Sequence, residues 1–511
     1  MSSTFPIKSS QDWSPQAIDD VCFELGKIAH GKYGLDTYPN QIEIVTSEQM
    51  LDAYSSVGMP VMYKHWSFGK SFVQNYQSYM GGKMGLAYEL VINSNPCINY
   101  LMEENSMMMQ SLVVAHAAYG HNSFFKGNHL FKQFTDASSI IDYLVFANDF
   151  IAKCEERYGW AEVEAVLDAA HALQNYGVDK HKRVNPTKAQ VIDRAEQRAE
   201  YKRRTADVVM DRFAKWDGES QPLDLSQEGG FEPQENLLYF IEKNMPGGSG
   251  WKGEILRIVR KIAQYFYPQR QTQIMNEGWA TFWHYTLMHD LHEMKMVDDG
   301  FMLEFYESHA GVVWQHPSNS GVNPYALGWA MFKDIKRVAM EPTQEDREWF
   351  GAQQWVGCGD WLKTLDWAMR NFKDESFIQQ FLSPKIIKEF SFFTILDDER
   401  NDEIEVVAIH NDAGYRRVRD TLANSRNLST FIPEIQVVDY RHTTDRTLVL
   451  RHTMVDGRPL DQEETLEVMQ HLEFLWGYPV ELKSYHGDAV YSEISLKDSV
   501  PSMSVYLNDP V

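Results

Sequence analysis

Cysteine is scarce in this chain: four in 511 residues, at Cys22, Cys97, Cys154 and Cys358, with no Cys-x-x-Cys pair. That spacing excludes a classical cysteine zinc site and offers no disulfide framework, so the four are expected to be reduced thiols, packed as small apolar groups. Long hydrophobic runs are also missing. No uninterrupted apolar stretch approaches the ~20 residues that a membrane-spanning helix needs. Residues 1–15 are polar, without the charged start and apolar stretch of a signal peptide, and are expected to form a flexible arm ending at the Ser14-Pro15 cap. Positive charge is outweighed: 48 Lys and Arg face 72 Asp and Glu, giving a formal net charge of -24. Such a balance argues against a nucleic-acid coat or an anionic membrane surface. There is no Gly-x-x-x-x-Gly-Lys-Ser/Thr, no Gly-x-Gly-x-x-Gly after a strand and no Gly-x-Ser-x-Gly. Nucleotide chemistry and serine hydrolysis are disfavoured accordingly. These absences predict a soluble, cytoplasmic protein.

Hydrophobic residues at 43% and aromatics at 13% are those of a folded globule. Up to about residue 395 the apolar spacing is helical, predicting a helical core domain over 16–395. Thr46-Ser-Glu-Gln49 is a capping box, and Thr343-Gln-Glu-Asp346 has a similar start. Within this region, 180–215 is strongly charged and reads as a solvated helix, and 217–233 as an exposed loop. Met245-Pro-Gly-Gly-Ser-Gly250 marks a short connection. From residue 403 the pattern becomes strand, helix, strand, strand, helix, strand: 403–410, 413–425, 434–440, 446–454, 463–476 and 479–485. This βαββαβ order predicts a small ferredoxin-like α+β domain over 400–511.

Two segments carry possible chemistry. One is Val113-Val-Ala-His-Ala-Ala-Tyr-Gly-His-Asn-Ser-Phe-Phe125, the other Met275-Asn-Glu-Gly-Trp-Ala-Thr-Phe-Trp-His-Tyr285. Imidazoles and a carboxylate among apolar residues suit a divalent metal. His116 shares a face with Leu112 and Met108, whereas His121 lies five residues on, roughly 140° round and about 7.5 Å along a regular helix. Both can serve one ion if the helix bulges by a π-turn, which Gly120 would ease, or if His121 lies just past the helix end. Glu277 and His284 share a face but stand roughly 10.5 Å apart along the axis. Glu277 is therefore the expected third ligand, and His284 a supporting or substrate-facing group. His171 is a further metal candidate, on the face of Val163 and Leu167. His65, Glu304 and His309 are expected to be structural. A lone histidine on an apolar face is usually a hydrogen-bonded core residue, and that reading stands beside the metal one.

The string Asn276-Glu-Gly-Trp-Ala280 resembles the third-ligand helix of gluzincin metallopeptidases, whose third ligand maps to Glu277. That resemblance implies a zincin-like site, but Ala117 stands where those enzymes carry their catalytic glutamate. Candidates for a substitute base are Glu103, Glu104 and Glu156. More broadly, six runs resemble the stage V sporulation protein R family. They are Asp36-Thr-Tyr-Pro-Asn-Gln-Ile-Glu-Ile-Val-Thr-Ser-Glu-Gln-Met50, Asn93-Ser-Asn-Pro-Cys97, Ala115-His-Ala-Ala-Tyr-Gly-His-Asn-Ser-Phe-Phe125, Asn276-Glu-Gly-Trp-Ala-Thr-Phe-Trp-His284, Asn323-Pro-Tyr-Ala-Leu-Gly328 and Phe381-Leu-Ser-Pro-Lys385. The branch of non-sporulating Gram-negative bacteria is the nearest in pattern. The resemblance implies a link to spore-cortex formation or stress response. It also implies, as partners, a serine-protein kinase and a protein with a von Willebrand-type domain. Three functional readings follow. The first is a metal-dependent, hydrolase-like protein acting on a peptide, amide or cell-wall substrate, with zinc favoured over iron or manganese. The second is a non-enzymatic scaffold for the kinase, and the third a non-haem iron oxygenase.

Overall fold

The computed structural model describes residues 7, 13–56, 58–59, 61–80, 89–180, 233–246, 250–315, 321–392, 394–396, 405–407, 411–428, 431–455 and 457–506. Most of the N-terminal arm, the charged stretch from residue 181, the acidic loop to 232 and residues 247–249 of the connection lie outside them. The chain forms two compact units, residues 1–164 with 262–431 and residues 165–261 with 432–511. This division differs from the expected one near residue 400. The helix Asp412–Asn424 packs on the helix Asp374–Phe381 and buries Ala423 in the core of the first unit.

The first unit is mainly helical, and its helices start where local chemistry dictates. Ser14 caps Pro15–Gly26 by accepting the N–H of Ala17, with proline in the first turn. Thr46 and Gln49 form the expected capping box, as do Thr343 and Asp346. One core gathers Val21, Leu25, Leu112, Val114, Trp279, Phe332 and Phe377, each essentially sealed from solvent. Against it lies a three-stranded sheet of β1 (Asn40–Val45), β2 (Glu89–Ile92) and β3 (Cys97–Met102), in the order β1-β3-β2. β3 runs parallel to β1 and antiparallel to β2, with Glu89 opposite Leu101.

Two short strands, β4 (Thr394–Leu396) and β5 (Glu405–Val407), form a separate antiparallel pair among the described residues. The second unit holds a five-stranded sheet of β6 (Glu434–Asp439), β7 (Leu448–Thr453), β8 (Val480–His486), β9 (Ala489–Lys497) and β10 (Val500–Val505). Its order is β10-β9-β8-β7-β6, parallel only between β7 and β8. The helix Gln462–Trp476 makes that parallel crossover and covers β8 and β9. Trp476, fully buried, donates its indole N–H to the carbonyl of Arg446 at 2.7 Å.

The expected βαββαβ order is thus corrected to ββαβββ. The individual elements lie where the sequence puts them, but the first strand pairs elsewhere and the first helix belongs to the other unit. β9 and β10 complete the sheet instead. Of the four cysteines, Cys97 and Cys154 are buried, Cys22 is half-buried and Cys358 is exposed, and none is paired.

Candidate metal centre

Residues 107–127 form one continuous helical run, opened by Ser106, whose hydroxyl accepts the N–H of Met109. Nearly every side chain in its first half is buried, so apolar residues surround the helix rather than striping it. The middle of the run, Ala115–His121, is a π-helix. The wider turn brings residues five apart onto one face, and the rings of His116 and His121 meet at 4.6 Å between centroids, 87° apart. The helix continues to Gly127, so His121 lies inside it and not beyond its end. Gly120 serves close approach: a Cβ there would stand 2.6 Å from the Cα of Ala280.

That neighbour belongs to the helix Gln273–Glu293, which carries Glu277 and His284. Its first turn is fixed by Asp374, whose carboxylate accepts the N–H groups of Ile274 and Met275, each at 2.9 Å. Its other side meets the helix Pro324–Met340 at Gly278 and Gly328, where added Cβ atoms would come within 2.3 and 2.1 Å of facing backbone. Helices this close hold their side chains in tightly defined positions.

The expected ligands come together. Glu277 Oε2 lies 3.4 Å from His121 Nε2 and 3.6 Å from His116 Nε2. A fourth donor, Glu89 at the start of β2, joins them: its Oε1 is 3.3 Å from His116 Nε2 and 3.9 Å from His121 Nε2. These separations exceed an ordinary N–H···O hydrogen bond. Glu89, His116 and His121 present ligand atoms within 4.8 Å of one another, a grouping suited to a metal ion, and Glu277 Oε2 stands within 3.6 Å of both imidazoles. The edge of a tetrahedral shell with metal–ligand bonds of about 2.0–2.1 Å is about 3.3–3.4 Å, so the wider pairs would draw in on an ion. One oxygen of each carboxylate, Glu89 Oε2 and Glu277 Oε2, is buried without a hydrogen bond among the described residues. A buried anionic oxygen lacking a donor is costly unless a cation satisfies it.

The electrostatics agree. Burial pushes the carboxyl of Glu89 up, against the pull of the two histidines. Burial would do the same to Glu277, but His121 and His116 outweigh it and hold that carboxyl well below the usual range. Burial opposes charge on His121, yet Glu277 and Glu89 carry it up to about 9. Tyr325, whose ring stacks on His116 at 6.2 Å, has its hydroxyl pushed up by the nearby Glu277 charge and by burial. Glu89, His121 and Glu277 line a cleft of about 580 Å³, walled also by Tyr54, Tyr325, Gln273 and Arg270.

Behind the donors, the other ring nitrogens are occupied. His121 donates its Nδ1–H to Asn276 Oδ1 at 3.0 Å, which leaves Nε2 free to ligate. His116 Nδ1 lies 2.9 Å from His284 Nδ1, and His284 Nε2 lies 2.9 Å from His309 Nδ1. Burial and the neighbouring histidines press the imidazolium form of His284 well below its ordinary range. For His309, burial and Lys333 bring it to about 4. His284 therefore supports His116 and does not itself reach the donor cluster.

The remaining candidates stand elsewhere. Glu103 and Glu104 are exposed in the turn after β3, and Glu156 is exposed on the helix Ile140–Tyr158. None joins the cluster. His171, on the helix Trp160–Ala172, is half-buried and also outside it. Glu304 accepts from the hydroxyl of Ser106, and His65 sits beside Ser67 and Glu164. His309 joins the histidine chain behind His116. Glu89, Asn276 and Tyr325 were not singled out by sequence. Asn276 adjoins Glu277 and Tyr325 lies in a distinctive run, but Glu89 is a single acid opening a short apolar strand.

Comparison with known proteins comes down on one family. A family model described as SpoVR like protein matches residues 12–431, and one described as SpoVR-like C-terminal domain matches 433–487. The chain is 52% identical over 492 residues, 95% of each chain, to the uncharacterized protein YcgB of Escherichia coli strain K12. No solved structure matches it.

Proposed function

The chain belongs to the SpoVR family, and within it we propose that the cluster of His116, His121, Glu277 and Glu89 is a divalent-metal centre of a hydrolase-like protein. The observation that carries this reading is the four imidazole–carboxylate separations of 3.3 to 3.9 Å, with one buried oxygen of each carboxylate left without a hydrogen bond among the described residues. Imidazole and carboxylate donors suit zinc, the favoured ion, with iron or manganese as alternatives. Two histidines from one helical run and a glutamate from a second helix also keep the ligand order of the zincin-like enzymes. Bound there, a zinc ion would polarise a carbonyl and acidify water.

The chain's own residues would do the rest. His116, His121 and Glu277 would hold the ion. Glu89, 3.3 Å from His116 Nε2, would either join them as a ligand or act as the base that accepts a proton from water. It thus supplies the carboxylate that Ala117 removes from the histidine motif. Tyr325 and Tyr54, on the cleft wall, offer hydroxyl donors to a developing oxyanion. The cleft admits a peptide-sized or sugar-peptide fragment, and an amide in such a substrate is the bond proposed for cleavage.

The test is metal analysis of untagged protein beside His116→Ala and Glu277→Ala. Near-stoichiometric zinc, lost in both variants, supports the centre. A folded protein that takes up no metal on reloading would make the histidines structural. Glu89→Gln is expected to keep zinc while losing any amidase activity found.

A further inference from the structure

Three imidazoles stand in line behind the cluster, from three different helices. His116, His284 and His309 are 4%, 1% and 5% exposed, so water does not compete for their nitrogens. Each of the two N···N contacts, both 2.9 Å, needs one N–H and one lone pair. A neutral imidazole carries one of each. The direction of the first contact therefore dictates that of the second.

Two arrangements are self-consistent. With a proton on Nε2 of His116, facing Glu89 and Glu277, its Nδ1 accepts from His284 Nδ1–H. His284 Nε2 then accepts from His309 Nδ1–H, and His309 Nε2 ends the chain as a lone pair. With an ion on Nε2 of His116, the proton must sit on Nδ1 and be donated to His284 Nδ1. His284 Nε2–H then donates to His309 Nδ1, and His309 Nε2–H ends the chain as a donor. Three N–H groups exist before and after, so no proton is gained or lost.

Resting on the metal-centre reading, we propose that ion binding at His116 reverses the hydrogen-bond direction of the whole chain, making His284 and His309 positioning residues whose tautomers lock the ligand nitrogen toward the ion. The far end is suited to reversal, because His309 Nε2 has no hydrogen-bond partner among the described residues to forbid either state. It is enclosed by the rings of Trp329 at 4.8 Å and Tyr285 at 5.0 Å. Both rings also wall a second cleft of about 620 Å³. Occupancy of the ion site is thereby registered one aromatic ring from a different opening.

The experiment is nitrogen NMR of the full chain labelled at its 17 histidines, stripped of metal and then loaded with zinc, with zinc content measured on the same samples. Single variants His284→Gln and His309→Gln assign the signals. On loading, the N–H of His284 and that of His309 are each expected to move from Nδ1 to Nε2. Zinc bound with both rings unchanged overturns this proposal and leaves the metal centre standing. No zinc bound overturns both. Independently, His284→Leu is expected to weaken zinc affinity by about 10- to 100-fold, as loss of a ligand's supporting hydrogen bond does. His284→Gln, whose amide oxygen accepts from His116 Nδ1–H, is expected to restore most of it. A leucine variant of undiminished affinity, or a folded glutamine variant as weak as leucine, overturns the positioning role.

Discussion

Asp374 is almost wholly buried and holds the first turn of the helix that carries Glu277. Replacing it with alanine would orphan two buried N–H groups, and a loss of roughly 2 kcal/mol in urea unfolding is expected. Burial also pushes its carboxyl up to about 7, against the help of those N–H donors. The folded state thus binds the proton more tightly than the unfolded one. The resulting stability is fully present below about pH 4 and is lost as pH rises through about 7. Asp374→Asn removes the titration, so its unfolding midpoint is expected to vary less between pH 4 and 7 than that of the native chain. An equal slope in the two proteins would show that other groups set it.

Among elements, the close helix crossings hold the site together. At Gly120 an added Cβ would meet the backbone of Ala280, and at Gly278 that of Gly328. Gly120→Ala and Gly278→Ala are each expected to cost about 1–3 kcal/mol and to weaken metal binding, because the helices must part. Gly31, where a Cβ meets nothing within 4 Å, is the control. Alanine there is expected to be neutral or to stabilise by up to about 1 kcal/mol in thermal melts. Local signals were legible in the sequence: the caps at Ser14, Thr46 and Thr343 depend only on residues three or four apart. The π-turn was legible as a requirement, since residues five apart share a face in no regular α-helix. Glu89 was not, because β2 is placed by pairing with β3 rather than by its own pattern. The C-terminal sheet was misassembled for the same reason. Its elements are local, but strand partnership is not, and β5 found β4 instead. The alternation of Ser492, Ile494 and Leu496 marks β9 in the sequence, and the structure buries that face.

Over the whole molecule, no helix among the described residues is long and apolar enough to cross a membrane. The first unit is discontinuous, interrupted by residues 165–261. A chain ended after residue 400 would lose the helix Asp412–Asn424 from that unit, whereas one ended after 431 would keep it. The shorter chain is expected to melt several degrees below the longer one while both bind zinc. Equal melting would place that helix outside the cooperative core. The interruption also imposes an order in time. Asn276 lies 155 residues after the His121 it orients, so a ribosome releases the histidine roughly 8 to 30 seconds before its partner at ordinary rates of synthesis. Until then a nascent chain displays two imidazoles and half a core without the helix that closes over them. The interval is long enough for a chaperone, or the wrong ion, to arrive first.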